Sequence, residues 1–118
     1  MELQNVLPSL PYKIYVAKYV NARQADGTVR RHYFALEKQT GTYPDYSQAS
    51  VRVEAIKREI RDKGGVEVLS SREKGNCQDV LACPRGQYVP IDVPMDVDVP
   101  EAIHFAVIAT FYDLSLKS

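Results

Sequence analysis

One stretch of this 118-residue chain has the pattern of an amphipathic helix, and it limits how the rest can fold. Asp45 can cap its first turn, and Gln48 three residues later completes a capping-box-like pair. Gly64-Gly65 supplies the left-handed backbone that often ends a helix, so the helix is predicted to run to Lys63. Between these signals, apolar residues recur at helical spacing and predict one buried stripe: Ala49, Val53, Ile56 and Ile60.

The segments before this helix have the composition of β-strands. Residues 12–20 are rich in Tyr, Val and Ile, which suit a pleated surface, and residues 29–38 are predicted to form the second strand. Asp26-Gly27 lies between them and is a turn signal, because glycine adopts positive φ without steric conflict. The two strands are therefore predicted to pair as a hairpin with a long, exposed tip.

Three further strand-like segments follow the helix. Residues 66–71 are predicted to form a short strand, and residues 72–86 a polar loop. Residues 88–99 contain recurring Val-Pro steps, and proline cannot donate to a central ladder, so they predict an edge strand or an irregular extended arm. The last strand, over residues 103–114, is apolar on both faces and is therefore predicted to be central.

Together these elements predict an α+β fold. A small, mostly antiparallel sheet, in the chain order β-β-α-β-β-β, packs on one amphipathic helix. The length suits a single domain over residues 1–118. We expect an irregular N-terminal arm over residues 1–11, and a loop with a Pro-rich extended segment over residues 72–100.

The charges of this chain balance overall but are unevenly distributed. Residues 1–75 carry 13 Lys/Arg and 9 Asp/Glu, a net of +4, whereas residues 76–118 carry 2 and 6, a net of −4. Such asymmetry suits a charged partner, self-association, or two halves that neutralise each other within the fold. No signal-peptide pattern and no run long enough to span a bilayer are present, so we expect a cytoplasmic protein with no membrane partner.

The outer face of the predicted hairpin is the strongest candidate site. Alternation places aromatic and cationic side chains on one face, and arginines near the tip extend it. Rings that stack on bases and cations that meet phosphates are typical of single-stranded nucleic-acid binding. The candidate nucleic-acid-binding residues are Lys13, Tyr15, Tyr19, Arg23, Arg30, Arg31 and Tyr33.

The favoured hypothesis is a non-enzymatic binding module for single-stranded nucleic acid. The alternative is a protein-interaction or homo-oligomeric structural protein, including a viral one, that uses the same face or the Pro-rich edge. Tyrosine is common in protein interfaces as well as beneath packed layers, so the tyrosines alone leave both open. A small enzyme with an unrecognised site is the third hypothesis.

Catalytic and metal-binding patterns are weak. No phosphate-binding loop, nucleophile elbow or zinc-protease motif is present, and no catalytic residue, metal ligand or cofactor is predicted. Asp92, Asp96 and Asp98 could suit a hard cation, but a solvated extended segment whose charges protect an exposed edge is the favoured interpretation. Cys77 and Cys83 are expected to be free thiols, and a local disulfide is the alternative.

Overall fold

The predicted helix is present as α1, Tyr46–Asp62, in the computed structural model, which describes residues 2–5, 11–84 and 102–117. Asp45 is the N-cap, and its carboxylate accepts a hydrogen bond from the Gln48 backbone N–H at 2.9 Å. This bond satisfies one of the N–H groups that a first turn leaves unpaired. Gly64 follows the C-cap with φ of 93°, so the chain leaves the helix at the predicted point.

Five strands form the main sheet, and all neighbouring strands are antiparallel. Two shorter strands, β1 and β7, pair with each other in a separate two-stranded sheet. The bounds are β1 Glu2–Asn5, β2 Lys13–Arg23, β3 Val29–Lys38, β4 Val66–Glu73, β5 Asn76–Pro84, β6 Ala102–Thr110 and β7 Leu114–Lys117. The main sheet has the order β3-β2-β6-β5-β4, so β6 is the middle strand. The predicted α+β class and the central position of β6 are confirmed.

The main core lies between α1 and one face of this sheet. All four residues of the predicted helical stripe are buried in it. They pack in one cluster with sheet residues that include Ile14, Leu81 and Val107, each with no exposed surface. Full burial of such a side chain contributes about 1.5–3 kcal/mol, so this layer is the main source of stability.

The opposite face of the sheet carries a second, smaller core. Tyr19, Val80 and Ile108 are buried there, and Leu3 from β1 and Leu114 from β7 pack against them. The β1–β7 pair thus covers part of the face that α1 leaves open. Around β2 and β6 the sheet is buried on both sides.

The prediction of a polar loop over residues 72–86 is wrong. Residues 76–84 form β5, which pairs with both β4 and β6, and only a short turn at Lys74-Gly75 separates it from β4. The polar residue Asp79 lies in the middle of β5 and is fully buried. It is tolerated there because Lys57 and Arg72 neutralise its carboxylate, and no composition rule anticipates such a long-range pair.

Two other boundaries differ from prediction. The last strand ends at Thr110, and residues 111–113 bend before β7 begins, so residues 103–114 are not one strand. Residues 2–5, expected in an irregular arm, form β1. The expected edge strand over residues 88–99 lies outside the described residues. Within the main sheet the order β-β-α-β-β-β holds, with β5 in the fourth strand position.

Candidate nucleic-acid interface

The β2–β3 hairpin extends beyond the rest of the sheet. β6 pairs with β2 only as far as Tyr19, whereas β3 continues to pair with β2 as far as Arg23. Residues 20–32 therefore form the two-stranded end of the hairpin, which we call the hairpin arm; its inward side chains Val20 and Ala22 remain buried. Its turn has the predicted form: Gly27 adopts φ of 87°, and Asp26 Oδ1 accepts hydrogen bonds from the Thr28 N–H and hydroxyl at 3.0 and 2.6 Å.

The hairpin arm is cationic. Arg23, Arg30 and Arg31 are exposed, and Asp26 is the arm's only acidic residue. The hydrogen bonds from Thr28 hold the pKa of that carboxyl below its ordinary value. The carboxylate is therefore ionised, and its hydrogen bonds are made to Thr28 within the turn. The arm therefore carries a net charge of +2, with three arginines against one aspartate.

A shallow concavity of about 160 Å³ lies on the hairpin arm. It is lined by Gln24, Arg30, Arg31 and His32. Among the described residues, the lining consists of two arginines, a glutamine and a histidine, with no Asp or Glu. Guanidinium groups present forked N–H donors that match phosphate oxygens, so the concavity has the size and donor chemistry for a phosphate group.

Arg31 is held in place by aromatic side chains at the base of the arm. Its guanidinium carbon lies 4.9 Å from the centre of the Tyr19 ring, and its Nη1 donates to the Tyr33 hydroxyl at 3.4 Å. The hydrogen bond to Tyr33 raises the pKa of Arg31 above its ordinary value. A guanidinium fixed in this way loses less conformational freedom when it binds an anion.

Tyr19 lies between Arg31 and a histidine. The His104 ring stacks on Tyr19 at 4.8 Å between centroids, with an angle of 10° between the planes. Burial lowers the pKa of His104, and the charge of Arg31 lowers it further. Burial also raises the pKa of Tyr19. The stack therefore consists of one permanent cation, one neutral phenol and one imidazole that disfavours protonation.

Three of the predicted site residues lie inside the chain rather than on its surface. Tyr15 and Tyr19 are 4% and 3% exposed, so neither ring presents a stacking face to solvent. Lys13 is 8% exposed, and its Nζ forms an ion pair with Asp113 at 3.0 Å. On this face Tyr19 packs in the second core with residues of β1 and β7, a long-range contact that strand alternation does not reveal.

The structure thus divides the seven predicted residues into two groups. Arg23, Arg30 and Arg31 are exposed on the hairpin arm, and the half-buried Tyr33 lies directly beside it. The arm also brings in Gln24 and His32, which the sequence reasoning did not select. His32 adjoins Arg31 in sequence and lies opposite Val20 in the hairpin.

A second concavity, of about 260 Å³, lies between α1 and the sheet. Its floor is apolar, and its rim carries charges of both signs. The lining includes Val16, Ile56, Phe105, Lys18, Arg52 and Glu59. Arg52 donates to Gln39 Oε1 at 3.1 Å, and Lys18 Nζ lies 5.8 Å from the centre of the Phe105 ring. Because the rim carries both cationic and anionic side chains, it favours neither a cationic nor an anionic ligand.

The cysteines are buried free thiols. Cys77 and Cys83 lie six residues apart on one strand, about 20 Å at the usual rise, which is too far for a disulfide. Burial raises the pKa of both thiols, which disfavours the reactive thiolate. Within residues 2–5, 11–84 and 102–117, no three His, Cys, Asp or Glu side chains group as metal ligands. Asp92, Asp96 and Asp98 lie outside those ranges.

Comparisons with protein-family models, with curated proteins and with solved structures give no match for this chain. α1, the helix of the described ranges, is neither long nor apolar enough to cross a membrane.

Proposed function

We propose that this protein is a non-enzymatic binding module whose ligand is single-stranded nucleic acid, held by the hairpin arm. The observation that carries the proposal is the concavity lined by Gln24, Arg30, Arg31 and His32. It joins residues with donors of phosphate-binding type, of which Gln24, Arg30 and Arg31 are exposed. A backbone phosphate is the ligand group that this concavity would take.

The charge of the hairpin arm supports the proposed contact with backbone phosphates. The arm concentrates three arginines in a chain whose formal net charge is zero. Contacts to phosphates supply most non-specific nucleic-acid affinity, and they weaken as salt rises. Arg23 extends the cationic surface along the same arm, so a strand lying on the arm would meet more than one cation.

An aromatic side chain supports the proposed contact with a nucleic-acid base. Tyr33 is only half buried and lies beside Arg31, which its hydroxyl helps to orient. A base stacked on an aromatic ring gains about 1–3 kcal/mol, and only an unpaired base can reach a ring in this way. This favours a single strand over a duplex. The buried Tyr19 ring packs against the Arg31 guanidinium and helps to orient it. Lys13 and Tyr15 take no part in the proposed contact.

The proposal predicts weak, salt-sensitive binding. One phosphate site and one stacking ring, in a chain with no net charge, favour dissociation constants on the order of 10–100 µM at low salt. Fluorescence anisotropy with a labelled poly-dT strand at two salt concentrations measures this. The test variant is Arg23→Ala/Arg30→Ala, and the matched control is Arg58→Ala, since Arg58 is an exposed arginine on α1.

We expect the double variant to weaken binding about tenfold or more, a change of about 1.4 kcal/mol. It should also reduce the dependence of the affinity on salt, because fewer phosphates are neutralised. The control should bind like the wild type. Equal losses in the double variant and the control, or no binding by the wild type at high micromolar protein, would reject the proposal.

A further inference from the structure

The charge of the concavity on the hairpin arm, which we call the arm concavity, depends on one histidine. Of its four lining residues, Gln24 is neutral, and Arg30 and Arg31 are permanent cations. His32 is the fourth, and an imidazole is the side chain whose charge changes between about pH 5 and 8. The lining therefore carries two or three positive charges, according to the protonation of His32.

His32 lies where both solvent and a bound anion can act on it. It is half-buried on β3, next to Arg31 and two residues from Arg30. Across the hairpin it pairs with Val20, a fully buried residue of the main core, so its direct strand partner brings no charge. Because the ring helps to line the concavity, a phosphate bound there would lie close to it.

The described residues place no acidic side chain in the lining of the arm concavity. Asp26 is the acidic residue of the arm, and its Oδ1 accepts hydrogen bonds from Thr28 within the turn. A phosphate would therefore bring the negative charge that the concavity itself lacks. An opposite charge within about 4–6 Å favours the protonated form of an imidazole.

The layers that flank the sheet add charges of both signs or none. Paired residues of neighbouring strands share a face, so His32 lies on the same face as Val20, the face that α1 covers. Charged side chains on that face line the second concavity: Lys18, Glu37, Arg52, Glu59 and Lys63. On the other face, the β1–β7 pair packs through the apolar Leu3 and Leu114.

We propose that His32 takes up a proton from solvent when a phosphate of the strand enters the arm concavity, so that binding strengthens as the pH falls. This inference rests on the proposed function and adds the regulation of its site by pH. A protonated imidazole donates from both ring nitrogens and carries a positive charge. The phosphate would then meet two guanidinium groups and an imidazolium, and all three form charge-assisted hydrogen bonds.

The direction of the pH dependence follows from linkage between the two ligands, the proton and the phosphate. If the phosphate favours the protonated ring, the proton favours phosphate binding by the same factor. The affinity is then highest at a pH where His32 carries its proton with or without the strand, and lowest where it is neutral in both states. A nearby opposite charge acts on protonation by about tenfold or more, and solvent around a half-buried ring favours the lower end.

Fluorescence anisotropy with labelled poly-dT tests the proposal, at pH 8.0, 7.0, 6.0 and 5.5 and constant ionic strength. Thymine and internal phosphodiesters keep their charge over this range, so the strand adds no titration of its own. His32→Gln keeps a polar side chain but cannot take up the proton. His104→Phe is the matched control, because His104 is the other histidine of the chain and stacks on Tyr19 outside the lining.

Proton NMR of the wild-type histidine rings gives a second readout that needs no variant. The His32 resonance is assigned by its loss in His32→Gln, and its pH titration is recorded with and without saturating strand. The midpoint of this titration should move to higher pH when the strand is bound. Circular dichroism at each pH verifies that every protein compared is folded.

We expect the wild type and His104→Phe to bind about five- to tenfold more tightly at pH 5.5 than at pH 8.0, and His32→Gln to bind with nearly constant affinity. Binding that does not depend on pH, an equal pH dependence in His32→Gln, or an unmoved His32 titration would overturn this inference and leave the arm site standing. Absence of binding at every pH would reject the proposed function itself, and this inference with it.

Discussion

Lys57 on α1 and Asp79 on β5 form an ion pair in the interior, with Nζ 3.1 Å from Oδ2 and side chains 4% and 1% exposed. Burial alone would lower the pKa of Lys57, but hydrogen bonds to Asp79, Glu67 and Glu54 raise it above its ordinary value. Burial would likewise raise the pKa of Asp79, yet hydrogen bonds from Arg72, Ser70 and Lys57 hold it below its ordinary range. Both groups are therefore charged in the folded state.

Removal of one partner should destabilise the fold. Asp79→Ala leaves Lys57 buried with only the more exposed Glu54 and Glu67, and breaking a buried pair costs about 3–5 kcal/mol. Glu54→Gln serves as the control, because Glu54 is about half exposed and such pairs contribute roughly 0–1 kcal/mol. Urea unfolding measures both. Similar midpoints for the two variants would show that the buried pair has no special role.

Ile56→Asp should unfold the domain or nearly so. Ile56 is 5% exposed in the middle of the helical stripe, and an unpaired buried carboxylate is more costly than a domain with roughly 5–15 kcal/mol of stability can bear. Val51→Asp introduces the same charge on the solvent side of the same helix and should melt close to the wild type. Circular dichroism melts compare them, and a shift of only a degree or two in Ile56→Asp would contradict the packing of α1.

Stability should fall as the pH drops below about 6.5, the ordinary pKa of histidine. The folded state lowers the pKa of His104, so the unfolded chain takes up a proton at a pH where the folded chain does not. The stabilisation is complete above about 6.5 and declines below it. Nδ1 of His104 is buried with no hydrogen-bond partner among the described residues, so a charge there would be poorly solvated.

His104→Phe isolates this effect, because phenylalanine can stack on Tyr19 but cannot take up a proton. Melting temperatures of the wild type and the variant are compared at pH 7.5 and 5.5. All other titrating groups are the same in the two proteins, so a difference in the loss of stability comes from His104. The wild type should lose more stability on acidification. An identical loss in both proteins would mean that His104 titrates normally in the folded state.

The middle strand should be the best protected part of the backbone. β6 has a hydrogen-bonded neighbour on each side, and Val107, Ile108 and Ala109 are at most 2% exposed. Its amides should exchange only through global unfolding, whereas those of the edge strand β4 should open locally. Native-state hydrogen exchange resolves the two strands. Faster exchange in β6 than in β4 would conflict with the observed strand order.

Local signals in the sequence were enough to predict the helix, the first hairpin and the buried last strand. Each depends on residues close in the chain: the cap at Asp45, the Asp26-Gly27 turn, and the run of apolar residues from Ile103. β5 could not be predicted in this way. Its central residue Asp79 has the composition of a loop, and its burial depends on partners in other elements: Lys57 on α1, and Arg72 and Ser70 on β4.

The candidate site was predictable in part for the same reason. Alternation correctly grouped Tyr19, Arg31 and Tyr33, which contact one another. It could not show that β1 and β7 pack on this face, because no local pattern ties residues 2–5 to residues 114–117. The inner half of the hairpin is therefore core, and the exposed cations are concentrated on the arm.

The most direct test of the central proposal is to locate the ligand on the chain. Two-dimensional ¹H–¹⁵N NMR of the labelled protein, titrated with a short poly-dT strand at low salt, reports every perturbed amide. We expect the largest shifts in residues 20–33, with Arg30, Arg31 and Tyr33 among them, and little change along α1. Shifts centred on α1 or on β4, or none at high micromolar strand, would contradict the proposed interface.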